Sequence, residues 1–327
     1  EQNTGGAVAP FVAGKNKIIN GDFGIWQRGA VTTTVGAYAN VFTADRWFIS
    51  NSQNSATVTG GYQAFTPGNP ITGYEPISFH RLSISGSTSS GIVNLWHRIE
   101  NVQTFAGQTA TLSFWAKASA SITPGVLIYQ GFAGGSSDSA QYPSVPTIGT
   151  TWQRYSITVN INSISGKTIN AGSYLAIIFQ FGSVNTVFDL WGVQLEAGSV
   201  ATPFTTASNT LQGELALCQR YYWRGISGAS YGFLNGAGFS YTSSNAQISV
   251  TYPVTMRAIP SSVDYSSLVV QDSAAGIFSL SSITLDATVT NTIGASFAGT
   301  TSGMTTNRFL RLLGSGSTAY IGFSAEL

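Results

Sequence analysis

Ionic charge is what this chain has least of. Asp, Glu, Lys and Arg make up 8% of its 327 residues, about a third of the share in an ordinary soluble domain. The 14 basic and 13 acidic side chains leave a net charge of +1. That balance gives no electrostatic footprint for a phosphate backbone, so nucleic-acid binding is not expected. A surface so poor in ions must be solvated by Ser, Thr, Asn, Gln and Gly, and part of it is expected to be covered by like subunits. Cys218 is the single cysteine, which excludes an intrachain disulfide framework and leaves durability to packing and assembly. The longest strongly apolar run, Tyr174 to Phe179, is far too short to cross a bilayer, so membrane insertion is not expected. No secretory leader is readable, and a chain opening at Glu1 suggests that an initiator Met or a longer N-terminal region is missing. His80 and His97 are the only histidines, and each continues an apolar alternation, which reads as core histidine. No string arranges a nucleophile, base and orienting acid.

Hydrophobic residues reach 43%, enough for real cores, and their period is two. Ala110, Leu112, Phe114 and Ala116 share one face of a segment. So do Tyr155, Ile157, Val159 and Ile161, and Val93, Leu95, His97 and Ile99. Alternation with one apolar side, punctuated by Gly, Pro, Asn and Ser, predicts strands of a sandwich. Leu175 to Phe181 is apolar on both faces, as a central, doubly covered strand would be. The fold class expected is all-β: an N-terminal arm over 1–15, a sandwich over 16–206, a linking helix over 207–223 and a smaller β unit over 224–327. Within the helical stretch Leu211, Leu215, Cys218 and Tyr222 form one heptad seam, with Asn209 and Gln212 as a cap pair. So short a helix needs support. A three-fold bundle is favoured, with docking on the sandwich as the alternative. Ile248, Val250, Tyr252, Val254 and Met256 alternate in the last unit, where Pro253 predicts an edge or bulge. Ala319, Ile321, Phe323, Ala325 and Leu327 alternate to the last residue, which predicts a paired terminal strand.

Four strings carry a resemblance: NKIINGDFGIW from Asn16, TLSFWAKAS from Thr111, TTWQRYSITV from Thr150 and VFDLWGVQLEAG from Val187. In this order and spacing they resemble jelly-roll carbohydrate-binding modules of the family-4/9 type. Followed by GSVATPFTT at Gly198, ELALCQRYY at Glu214 and a β unit ending in SAEL, the whole is similar to bacteriophage tail-fibre receptor-binding proteins. The resemblance implies a homotrimeric, non-enzymatic adhesin on the virion, binding host cell-surface glycan and gripping other virion proteins through its N-terminal arm. The alternatives are a purely structural head or baseplate decoration and a polysaccharide depolymerase. Such modules often hold a structural calcium. Here Gly24 follows Phe23, and Trp191 and Gly192 stand where an Asp pair would lie. Asp22 and Asp189 remain, but a hard cation wants six to eight oxygens, so neither metal nor cofactor is expected.

Saccharides stack their C–H faces on aromatic rings and offer hydroxyls to charged or amide groups. Trp96 with Arg98, Trp115 with Lys117, and Trp152 with Arg154 each pair a ring and a cation opposite an apolar strand face. They are candidate sugar platforms. Packing under loops or against a neighbouring subunit is the competing reading. The Gly- and aromatic-rich stretch from Tyr221 offers a second location at Tyr231, Phe233 and Tyr241. Among the acids, Asp45, Glu100, Asp189 and Glu196 are the candidates for glycoside cleavage, with ion pairs as the simpler reading of Asp45 and Glu100. Asp22, Arg28, Asp45 and Arg46 are read as edge ties, and Trp26 and Trp47 as core.

Overall fold

The computed structural model describes residues 14–68, 70–88 and 91–327. Among them the chain is all-β with one short helix, and it divides into two compact units, one reaching Leu215 and one running Ala216–Glu326. Residues 1–13 of the expected arm lie outside the described residues. At its end the Gly14 N–H donates to Ala207 O and Lys15 pairs with Glu196 at 3.1 Å, so these two residues are already tied into the first unit.

The first unit is a jelly-roll sandwich. One sheet runs, in spatial order, Thr32–Val35, Thr57–Ala64, Ser78–Ser85, Thr186–Ala197, Thr109–Ala118 and Gln153–Asn160. The other runs Ala39–Phe42, Trp47–Asn51, Val93–Glu100, Tyr174–Phe181, Gly125–Gly131 and Ser139–Gln141. Every pairing is antiparallel, and successive strands such as Ser78–Ser85, Val93–Glu100 and Thr109–Ala118 change sheet each time. The alternating apolar sets meet between the sheets: Leu112, Phe114, Val93, Leu95, Ile157 and Ile177 all belong to one buried cluster. Each such side chain contributes about 1.5–3 kcal/mol by leaving water. Tyr174–Phe181 lies between two partners and is covered on both sides. Leu175, Ile177 and Phe179 face the main core, while Ala176 and Ile178 join a small outer cluster with Leu127, Trp96 and Tyr129.

In the second unit a three-stranded sheet places Tyr320–Ser324 between Tyr222–Ile226 and Ser262–Ser266, so the C-terminal alternation is paired as far as Ser324, and the strand stops short of Leu327. A seven-stranded sheet completes the unit. The expectation of an edge strand at Pro253 is corrected. Asn245–Thr251 is an interior strand with partners on both sides, and it ends before Pro253, whose missing N–H cannot continue the ladder.

The helix, α1, spans Leu211–Gln219, shorter than the 207–223 expected. Thr210 caps it in place of Asn209: its Oγ1 accepts from Gly213 N–H at 3.1 Å and its carbonyl from Glu214 N–H at 2.9 Å. Asn209 sits one residue too early, at φ 62°. The seam of Leu211, Leu215, Cys218 and Tyr222 does not form one exposed stripe. Leu211 is 64% exposed, Leu215 is half-buried, Cys218 is fully buried, and Tyr222 has left the helix to pair with Ser324 in a sheet.

The opening NG turn is built around Asn20, which is fully buried at φ 57°. Its Nδ2 donates to Ile25 O at 2.9 Å and Asp45 O at 3.0 Å, and its Oδ1 accepts from Ile25 N–H at 2.9 Å. Its backbone N–H donates to Glu214 Oε1 at 2.6 Å, and its carbonyl accepts from Trp47 Nε1–H at 3.0 Å. A side chain on Gly21 would sit 2.1 Å from Val193 O, so only glycine fits the next position. Replacing Asn20 by Ala strands three polar groups and puts a residue that disfavours left-handed backbone at φ 57°. The expected loss is about 3 kcal/mol of unfolding free energy, read from denaturant titration. A change under about 0.5 kcal/mol would show the turn to be dispensable.

Candidate functional site

The six sandwich residues proposed as sugar platforms do not form one site. Trp96 and Arg98 lie on the outer face of the sheet containing Val93–Glu100. Trp115, Lys117, Trp152 and Arg154 lie on the outer face of the other sheet. All three indoles stand outside the main core, but their rings are already engaged. Trp96 stacks on Phe48 at 5.6 Å, and Arg98 lies over Phe48, Trp96 and Tyr174 at 5.0, 5.5 and 4.5 Å. Trp115 is 8% exposed under Arg154, whose guanidinium lies 4.7 Å from the ring and donates to Ser113 Oγ and Thr202 O. Lys117 lies 5.4 Å over Trp152. In the second unit Tyr231, Phe233 and Tyr241 are exposed. Phe233 and Tyr241 lie at opposite ends of Phe233–Ser240, roughly 25 Å apart by strand rise. Tyr241 instead neighbours Phe239 at 6.5 Å, and Phe239 pairs across the sheet with Phe309. Neither of these two phenylalanines is marked by the sequence.

The outer face of the first sheet carries a second, aromatic layer. Trp115, Trp191, Phe79, Phe65 and Phe204 pack together with Tyr74 and Trp152 at its border. Ring centroids lie 5.3 Å apart for Trp115–Trp191 and 5.1 Å for Trp191–Phe204. A bulge after Trp191 makes this possible. Gly192 takes φ 64°, where a side chain would come within 2.7 Å of the Trp115 ring. Phe65, Ile71 and Tyr74 cover the layer from one side and the segment after Gly198 from the other. The Tyr74 hydroxyl accepts from Phe204 N–H at 2.9 Å, which joins the two.

This layer opens into a cleft of about 650 Å³. Its walls are Trp26, Tyr62, Tyr74, Trp191 and Phe204, with Ile77 and Leu211 at the lip. Trp26 meets Tyr62 edge-on at 5.5 Å and stacks on buried His80 at 6.2 Å, so its ring is held in place. The Trp191 indole N–H is buried and has no partner among the described residues. Asp22 and Glu75 bring carboxylates to the lining. A smaller pocket of about 210 Å³ adjoins the cleft, sharing Asp22, Thr206 and Leu211 and adding Glu214 at the start of α1. Buried Glu214 accepts from Asn20 N–H, Ser208 N–H at 3.0 Å and Ser208 Oγ–H at 2.9 Å, so its oxygens are already engaged. Burial pushes the Asp22 carboxyl up to about 6, and the Glu214 charge adds to the rise against the Gly24 N–H contact.

Trp26 packs against the main core as expected but also lines the cleft, and the structure corrects the reading of Asp22 as an edge tie, since it lines the cleft too. Trp47 is core, fully buried against Phe23. Asp45 does tie the edge loop, accepting from Gln27 N–H at 2.7 Å and Gln27 Nε2–H at 2.6 Å. Arg46 donates to Arg98 O at 2.6 Å, and Arg28 lies over Phe42. The histidines are core residues: His80 Nε2 meets Thr43 Oγ1 at 2.9 Å and His97 Nε2 meets Ile19 O at 3.0 Å. Desolvation lowers the His80 pKa to about 3 and the His97 pKa well below its usual value. Asp189 is held by Arg81 through two bonds of 2.7 and 2.8 Å, with Lys117 at 3.7 Å. Glu196 binds Lys15 and Thr202, and Glu100 is half-buried at the end of Val93–Glu100. None of Asp45, Glu100, Asp189 and Glu196 lines the cleft. One signal for the cleft was readable, the break of period two at Trp191-Gly192. Tyr62 and Tyr74 had none, because long-range packing alone brings them to Trp26 and Trp191.

The raised Asp22 pKa has a definite sign. The folded state binds this proton more tightly than the unfolded chain, so this group favours folding more as pH falls from about 6 towards 4 and costs stability above that window. Asp22→Asn should therefore stabilise the protein at pH 7 by on the order of 1–2 kcal/mol, and its melting temperature should respond less to pH between 4 and 6. An unchanged pH response in the variant would contradict this assignment.

No family model matches the chain, and no curated protein matches it. Solved structures that it is similar to include the enzymatically active domain of bacteriophage CBA120 tailspike protein 4, at 18% identity, covering 56% of this chain and 22% of that one with a TM-score of 0.31. The family 11 carbohydrate-binding module from Clostridium thermocellum is 13% identical, with 53% of this chain and 99% of that one covered and a TM-score of 0.33. A Stig cyclase from Fischerella sp. TAU is 14% identical, with 58% and 99% covered and a TM-score of 0.36.

Proposed function

We propose that this chain is a non-catalytic saccharide-binding protein, and that its binding site is the aromatic cleft of the sandwich. The observation that carries this is the composition of the cleft walls. Trp26, Tyr62, Tyr74 and Trp191 offer ring surface to the C–H faces of a sugar. The unpartnered Trp191 N–H and the Asp22 and Glu75 carboxylates offer a donor and acceptors to its hydroxyls. Both histidines are buried in the core with Nε2 hydrogen-bonded, and neither lines the cleft, which fits binding better than acid–base chemistry.

The biological setting follows from the ordered strings that resemble tail-fibre proteins. In this reading the chain is an adhesin on the outside of a phage particle and binds glycan on the host surface. Assembly as a homotrimer would let three weak sites act together through effective concentration, and it suits a chain with so few ionic groups.

The cleft is separable from the sheet faces by mutation. Trp26→Ala should weaken binding to host-surface polysaccharide at least about tenfold, while Trp96→Ala should stay within about twofold of the parent. Calorimetric titration of folded variants measures both. Loss of binding in Trp96→Ala with Trp26→Ala unaffected would move the site to the opposite sheet, and cleavage of the polysaccharide during titration would overturn the non-catalytic reading.

A further inference from the structure

We infer that the sugar taken by this cleft carries a free, protonated amino group, and that the amine lodges at Asp22, where the cleft meets the pocket beside Glu214. The inference rests on the saccharide reading and narrows it to hexosamine-containing glycans.

Charge is the first argument. Among the described residues, the charged ones lining the cleft and its side pocket are Asp22, Glu75 and Glu214, and no Lys, Arg or His lines either. In a chain whose ionic groups nearly cancel, this is a local excess of one sign within apolar walls, where a field is focused rather than screened. An anionic sugar would bring like charge into that field and be rejected.

Hydrogen bonding separates the two acids of the side pocket. Glu214 is already engaged by Asn20 and Ser208, so it supplies potential rather than open acceptors. From the other described residues Asp22 accepts only a long 3.3 Å contact, from the Gly24 N–H. Its carboxylate therefore has acceptor capacity for the three N–H donors of an ammonium. Trp26 and Tyr62 line the same cleft and add π surface, to which a cation is attracted. A metal ion fits less well. A hard cation wants six to eight oxygens, and no group of three or more His, Cys, Asp or Glu side chains suited to a metal occurs among the described residues.

The test is a glycan array probed with the full chain, carrying hexosamine oligosaccharides in several linkages, each beside its N-acetylated twin, together with uronic-acid oligosaccharides. Calorimetry then follows on the best matched pair and on phenethylamine. The expected result is that the free amine binds at least about tenfold tighter than its N-acetylated twin, and that uronic-acid sugars bind weakest. In Asp22→Asn the ratio within the pair should fall to about twofold or less, with cooperative unfolding showing the variant to be folded. Equal binding of the two twins by the parent protein, or an undiminished preference in both Asp22→Asn and Glu214→Gln, would overturn the inference while leaving the saccharide site standing. Phenethylamine binding as tightly as the best oligosaccharide would overturn the assignment to a sugar. Silence across the array would remove the saccharide reading and this inference together.

Discussion

The hydrogen bonds that converge on Asn20 hold together the parts that make the cleft. Its amide closes the loop that ends at Ile25 and binds the backbone at Asp45. Its own backbone receives Trp47 and reaches Glu214 at the start of α1. Glu214 passes the constraint on to Ser208. One buried amide and one buried carboxylate thus fix the loop carrying Asp22 and Trp26 and the segment carrying Thr206 and Leu211, two of the walls of the cleft. Burying an ionised carboxylate costs several kcal/mol unless it is well hydrogen-bonded. Here three donors meet that cost, and the remaining charge shapes the site next to it.

Scarcity of charge makes the few ionic groups informative. On the sandwich, Asp189 joins Arg81 and Lys117, and Glu196 joins Lys15. In the second unit, Asp264 joins Arg224 and Tyr222, and Asp272 joins Arg308. These pairs bridge strands and loops distant in sequence, and several cations also lie over rings. Asp22 stands apart, with neither an ion pair nor a strong hydrogen bond from a neighbour among the described residues. A carboxylate left this way in an aromatic cleft costs stability, and ligand binding is the function that would explain its presence.

The sandwich was largely legible from the sequence because period two is a local signal. The faces containing Leu112, Ile157 and Leu95, and the double-sided strand from Tyr174, need no knowledge of distant residues to be read. Cap chemistry was less so: Asn209 and Thr210 are both good cap types, with Asn the more favoured, and the left-handed turn at Asn209 passes the role to Thr210. The cleft was mostly illegible. Alternation shows that Trp115 and Trp152 leave the main core, but not that Phe65, Ile71, Tyr74 and Phe204 pack against them. Trp26 does pack against the core, but its second face is not readable. Its exposure to the cleft arises from the reversal at Asn20-Gly21, from which chain direction cannot be read locally. Tyr62 and Tyr74 acquire meaning only through contacts made far along the chain.

The central claim is that sugar meets the cleft rings and not the outer face of the opposite sheet. The seven indole N–H groups give a direct map of this by heteronuclear NMR during a glycan titration. The account predicts that the Trp26 and Trp191 signals move with saturable dependence on ligand while Trp96 and Trp223 stay in place. Movement of Trp96 with Trp26 and Trp191 unmoved would contradict it.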